Sequence, residues 1–281
     1  MKFFNLSRQL AAVAFLVAAS LSCSDDDDPI TPPAVTYDVM VKQTSLGNVL
    51  TDAAGKTLYF FSNDADGTST CTGGCLTAWP IFSKASPKLD PSLNTSEFGT
   101  ITRADGQTQV TYKGWPLYYY QKDVAPGDVT GENVGKVWFV AKTTYTIMIA
   151  NKQLVGNDGK SYDSTFTEGT GATKFFVDDM GRTLYGFAND KKNDNNWTTN
   201  VEAHDAAWPI YSADLKDLPS TVDKSLFATI DVFGKKQLTY KGWPLYYFGN
   251  DLQTRGLTKG VSVPRPGIWP IVNLNSPLAP E

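Results

Sequence analysis

The nine residues TYKGWPLYY stand at 111–119 and again, unchanged, at 239–247, and no other feature constrains the fold of this chain as strongly. Flanking blocks repeat with them: GKTLYFFSND (55–64) with GRTLYGFAND (181–190), and AWPIF (78–82) with AWPIY (207–211). The offsets between partners, 126, 129 and 128, drift so little that the 281 residues must hold two copies of one unit with small changes in loop length. We place the copies at 38–146 and 147–281. No Pro-, Gly- or Ser-rich linker separates them, so they are expected to pack on each other.

Each copy carries the phrase Yx(F/Y)xxD twice, as Tyr59/Phe61/Asp64 and Tyr118/Tyr120/Asp123, then as Tyr185/Phe187/Asp190 and Tyr246/Phe248/Asp251. Apolar residues alternate around these phrases, and Gly-containing turns such as Asp105–Gly106 and Lys113–Gly114 break the runs. That is antiparallel hairpin material. The fold class is therefore all-β: two tandem antiparallel β repeats with pseudo-twofold symmetry. Four propeller-like β modules and a pair of sandwich- or barrel-like units both satisfy the pattern. Pro116 and Pro244 fit only at a strand start or an edge, and helix is limited to a short turn before Trp79 and another before Trp208.

Residues i and i+2 of a strand share a face, so the two rings of the phrase bury a core surface while the aspartate falls at the turn and caps it. The functional alternative is that Asp64, Asp123, Asp190 and Asp251 converge on a polar ligand or a cation. Trp115 and Trp243, beside Lys113 and Lys241, offer flat indoles for stacking on a sugar ring or an aromatic metabolite if the turn is exposed. They are the strongest binding candidates, with core packing as the alternative.

Signals for catalysis fail on inspection. Gly55–Lys56–Thr57 lacks the glycine that a phosphate loop needs five residues earlier, where Leu50 stands. There is no GxSxG, and the single histidine, His204, excludes any two-histidine metal centre. The Asn/Asp-rich run 189–196 lacks the glycine and the closing glutamate of a calcium loop. No catalytic residue, cofactor or metal site is assigned.

Residues 1–22 carry Lys2, Arg8 and an apolar run that is too short to span a bilayer, which marks an export signal. The small residue before Cys23 resembles a lipobox, which makes Cys23 the lipidated N-terminus and outer-membrane lipid its anchor. Asp25 to Asp28 resemble the surface-export tag of lipoproteins in the Bacteroidota, and 23–37 read as an acidic, Pro-containing tether. Removing the signal takes two of 25 basic residues and leaves 23 against 29 acidic ones, so no basic field for nucleic acid exists. Cys71 and Cys75 then remain, and an oxidising compartment favours joining them as a disulfide.

Together, the LTD…GKTLYFF…D opening (Leu50 to Asp64), the Cys71/Cys75 pair before Trp79–Pro80, and Gln109…Tyr112…Pro116–Leu117–Tyr118 leading to Asp123 resemble a known family. It is that of predicted lipoproteins with a conserved Yx(FWY)xxD motif, a secreted repeat of unknown function. The second copy departs from it at Asn200 and His204, which stand where the first has Cys71 and Cys75, and in the loop after Asp251. The resemblance brings no activity with it. The expectation is a surface-anchored, non-catalytic envelope lipoprotein that binds a small molecule, a glycan or an envelope protein. The alternative is a redox or metal-handling protein using Cys71/Cys75 and the repeated aspartates.

Overall fold

Glycine and proline interrupt the alternating pattern every few residues, so the strands are short and sheets form piecewise. In the first copy β1 (Met40–Thr44) and β2 (Gly47–Thr51) form a hairpin, followed by β3 (Tyr59–Phe61) and the short helix α1 (Gly74–Ala78). Strands β4 (Phe98–Thr102), β5 (Thr108–Tyr112) and β6 (Trp115–Pro116) form a three-stranded antiparallel sheet, and β7 (Trp138–Val140) returns to pair with β3. The second copy repeats this with β8 (Met148–Val155), β9 (Ser161–Tyr162) and β10 (Ala172–Val177), then α2 (Glu202–Asp205), β11 (Phe227–Val232), β12 (Lys235–Tyr240) and β13 (Trp243–Pro244).

The computed structural model describes residues 35–281, of which Thr36–Glu281 form one body. The signal expected over 1–22, the lipidation site Cys23 and all but the end of the tether expected over 23–37 lie outside the described residues. The all-β expectation holds. The two helices precede Trp79 and Trp208, and Pro116 and Pro244 lie in edge strands, where a missing N–H leaves no ladder bond unmade. Neither a closed barrel nor a propeller is formed among the described residues: the sheets have two or three strands each.

The centre of each copy is a pair of tyrosines. Tyr59 and Tyr118 exchange both backbone hydrogen bonds (2.8 and 3.1 Å), as do Tyr185 and Tyr246 (2.9 Å each). Ile81 bridges to Tyr118 and Val140 pairs with Tyr59, while Ile210 and Ile271 flank the second pair in the same way. Each copy is thus built around a local twofold relation between its two motif phrases.

Candidate functional site

The motif phrases complete each other across that local twofold. Tyr59 Oη donates to Asp123 Oδ2 (2.6 Å) and Tyr118 Oη to Asp64 Oδ2 (2.5 Å). In the second copy Tyr185 donates to Asp251 Oδ2 (2.6 Å) and Tyr246 to Asp190 Oδ2 (2.8 Å). The second carboxylate oxygen holds the loop that follows, accepting the N–H of Thr70 (2.8 Å), Thr130 (2.9 Å), Asn196 (2.7 Å) and Lys259 (3.1 Å) for Asp64, Asp123, Asp190 and Asp251. Those donors lie six to eight residues on, further than a local turn cap reaches. Gly131 and Gly260 approach so closely that their N–H groups meet Tyr59 Oη (3.2 Å) and Tyr185 Oη (3.3 Å), and a Cβ at either would strike the tyrosine ring at 2.8 or 2.7 Å.

These carboxylates are at most 6% exposed. Burial pushes Asp64, Asp190 and Asp251 up to about 6, against the downward pull of their hydrogen-bond donors. Burial, reinforced by the facing carboxylates, holds the four motif tyrosines well above their usual range. Among the described residues no group of three or more His, Cys, Asp or Glu side chains is arranged to hold a metal ion. Each motif aspartate is occupied by a tyrosine and a loop amide, and Asp251 also borders a cavity of about 560 Å³ with Leu252 and Gln253.

The middle aromatic of each phrase has a separate task. Phe61, Trp138, Trp79 and Tyr120 stack in one column, with centroids 4.0, 3.8 and 4.2 Å apart. Phe187, Trp269, Trp208 and Phe248 repeat it at 4.4, 3.7 and 4.3 Å. The motif tyrosines stand edge-on to the indoles, Tyr59 to Trp79 at 5.4 Å and Tyr118 to Trp138 at 5.1 Å, so quadrupoles as well as area favour the arrangement.

The two KGW turns share a sequence but not an environment. Trp115 is 1% exposed, its Nε1 donates to Asp179 O (3.0 Å), and the Arg255 guanidinium lies 5.0 Å from its ring centre. Lys113 Nζ is paired to Asp179 (2.6 Å), and Arg255 Nη1 donates to Lys113 O (2.9 Å). The first turn is therefore an anchor on the second copy. The second turn is held by the C-terminal segment instead: Lys241 Nζ donates to Leu274 O (2.9 Å) and Ser276 O (2.8 Å), and Trp243 Nε1 to Pro277 O (2.9 Å). Trp243 is half-buried and forms a wall of a cavity of about 410 Å³.

That cavity lies where the copies diverge. In the first copy Phe60 pairs across the ladder with Phe139, and its ring lies 5.9 Å from that of Trp115. Their counterparts are Gly186 and Pro270, joined by the bond Gly186 N–H to Pro270 O (3.0 Å), and both line the cavity with Trp243. Cys71 and Cys75 are joined as a disulfide, with Cys71 buried. In the second copy His204 stacks on Trp197 at 4.5 Å and its Nδ1 lies 2.9 Å from Asp205. A third cavity, of about 470 Å³, opens beside Asn200 and Asp205. The sequence signal for all of this was difference between copies, not repetition.

Three stretches of the chain, 40–83, 99–142 and 230–272, match a family described as a secreted repeat of unknown function. Each stretch holds one complete Yx(F/Y)xxD phrase, so the family's unit is the half-copy. The chain carries three copies of this family's secreted repeat, together a little under half of its length. The matched stretches leave 143–229 outside, the half in which Asn200 and His204 replace the cysteines. No curated protein and no solved structure matches the chain.

Proposed function

We propose that this secreted-repeat protein is a non-catalytic binding protein of the outer membrane, acylated at Cys23 and held off the lipid surface by its acidic tether. Its second copy takes a ring-shaped small molecule, aromatic or sugar, against Trp243. The observation that carries this reading is the replacement of Phe60 and Phe139 by Gly186 and Pro270, with the tryptophan retained and a cavity of about 410 Å³ beside it. A volume of that order suits a ligand of one or two rings. Phe166, Trp243 and Ile271 supply apolar surface, and Ser164, Asn273 and Asn275 supply groups that orient hydroxyls.

Gly186→Phe tests the reading by returning the first copy's ring to the second. A Cβ at 186 would lie 3.5 Å from Val272 Cγ2 and 3.8 Å from Trp243 Cβ, ordinary contact distances, so the variant is expected to fold. Calorimetric titration with indole, catechol and methyl β-glucopyranoside should show saturable binding of at least one probe to the wild type. It should show none to Gly186→Phe at unchanged Tm. No heat from any probe, or equal heat from both proteins, would overturn the proposal.

A further inference from the structure

The cavity beside α2 is the counterpart of a place where the first copy buries a guanidinium. Arg103 lies just past β4, with its side chain 1% exposed. Its Nη1 donates to Gln109 Oε1 (3.1 Å) and to Ser69 Oγ, and its Nη2 donates to Cys71 O (2.7 Å).

Strand register identifies the counterpart of Arg103. Phe98 pairs with Tyr112 and Phe227 with Tyr240, so five residues further along β11 comes Val232. The second hairpin is one residue shorter and closes on Phe233–Gly234, both at positive φ (50° and 78°). Val232 is buried and too short to reach where the arginine head lies.

Three of the arginine's four partners keep a counterpart; Asp105, 3.2 Å from Arg103 Nε, is lost with the shorter hairpin, and Asn200, unlike Cys71, stands at positive φ (62°). Gln237 stands for Gln109, Thr198 for Ser69 and Asn200 for Cys71. Asn195 Nδ2 reproduces the inner half of the contact, donating to Gln237 Oε1 (2.7 Å) and Thr198 Oγ1 (2.9 Å). The outer half has no such stand-in, and among the described residues no side chain donates to the Asn200 carbonyl. Beside it the cavity of about 470 Å³ is lined by Thr198, Asn200, Val232, Glu202 and Asp205, with Lys235 also on its wall; Asp205 Oδ1 already meets Thr199 N (3.0 Å) and His204 Nδ1 (2.9 Å), which leaves Oδ2 for a further donor. The Phe233 ring, 59% exposed, borders the cavity, where it can cover an aliphatic stem.

We infer that this cavity binds the guanidinium of an arginine side chain presented by a partner polypeptide, in place of the arginine that the first copy supplies from its own chain. Charge-assisted bonds from a planar fork to Glu202, Asp205 and the Asn200 carbonyl would hold it, and such geometry discriminates against neutral isosteres. The inference is independent of the ring site at Trp243, which involves other residues.

The test uses the full chain and two probes, N-acetyl-arginine amide and its citrulline analogue, in calorimetric titration. The expected result is saturable binding of the arginine probe at least about ten-fold tighter than the citrulline probe, a gap of about 1.4 kcal/mol. Val232→Arg, which supplies an internal guest as in the first copy, should abolish binding while leaving the response to ring probes unchanged. Glu202→Gln, at an exposed position, should weaken it several-fold and serves if Val232→Arg fails to fold. Equal binding of the two probes, no binding of either, or arginine binding that survives both substitutions would overturn the inference.

Discussion

The first copy is filled, by its own Phe60, Phe139 and Arg103 and by Arg255 of the second copy over Trp115, whereas the second presents cavities at the corresponding places. Phe60 and Phe139 become Gly186 and Pro270, Arg103 becomes Val232, and the Cys71–Cys75 disulfide becomes Asn200 and His204. What repeats four times is the same construction in each place: tyrosine hydroxyl on aspartate, middle ring in a column, carboxylate on a loop amide. The contrast teaches that repetition here records construction, and that function is to be sought where the copies disagree.

The largest expected effect breaks the shared part. Trp79→Ala and Trp208→Ala each remove a central ring from a buried four-ring column, and each should cost about 3–5 kcal/mol in chemical denaturation. If the columns are equivalent the two losses agree, whereas a harmless Trp208→Ala would mean that the second copy is held by other means. The disulfide ranks next and belongs to one copy only. Cys71→Ser with Cys75→Ser should cost about 2 kcal/mol by the chain-entropy argument, while His204→Ala in the second copy should leave the denaturation midpoint nearly unchanged.

A further effect is one of pH, and its sign follows from burial. Asp64, Asp190 and Asp251 sit at about 6 when folded, against 3.8 for an unperturbed aspartate. Between pH 4 and 6 the folded state then binds more protons than the unfolded one, so stability falls as pH rises through that window and levels off above it. Carboxylates held low, such as Asp66 and Asp163, lose their contribution only as pH falls below about 4 and so do not offset it. Thermal melts should give a higher Tm at pH 5 than at pH 7, and Asp64→Asn should reduce that difference.

Much of the fold was legible because its determinants are local. Period-two alternation marks strands, near-identical blocks mark the duplication, and the turns before Trp79 and Trp208 show as short helices between punctuating residues. The tyrosine–aspartate exchange was not legible, since it joins residues 64 and 54 positions apart and needs the strand pairing of Tyr59 with Tyr118. The identical KGWPLYY blocks concealed that one indole is enclosed by the other copy and the other by the C-terminal segment. Val232 as the counterpart of Arg103 emerges only once strand register reveals the one-residue shortening of the second hairpin. Gly186 was visible in the aligned blocks, but only the cavity beside Trp243 gives its difference from Phe60 a meaning.

The central claim, that the repeated phrase is a construction device equivalent in both copies, is tested most directly by a double-mutant cycle of unfolding free energy. Tyr118→Phe, Asp64→Asn and the pair are measured in the first copy, and Tyr246→Phe, Asp190→Asn and the pair in the second. Buried hydrogen bonds to carboxylate predict a coupling of about 1.5–3 kcal/mol in each cycle, equal between copies within error. Additive losses, or coupling confined to one copy, would contradict the account.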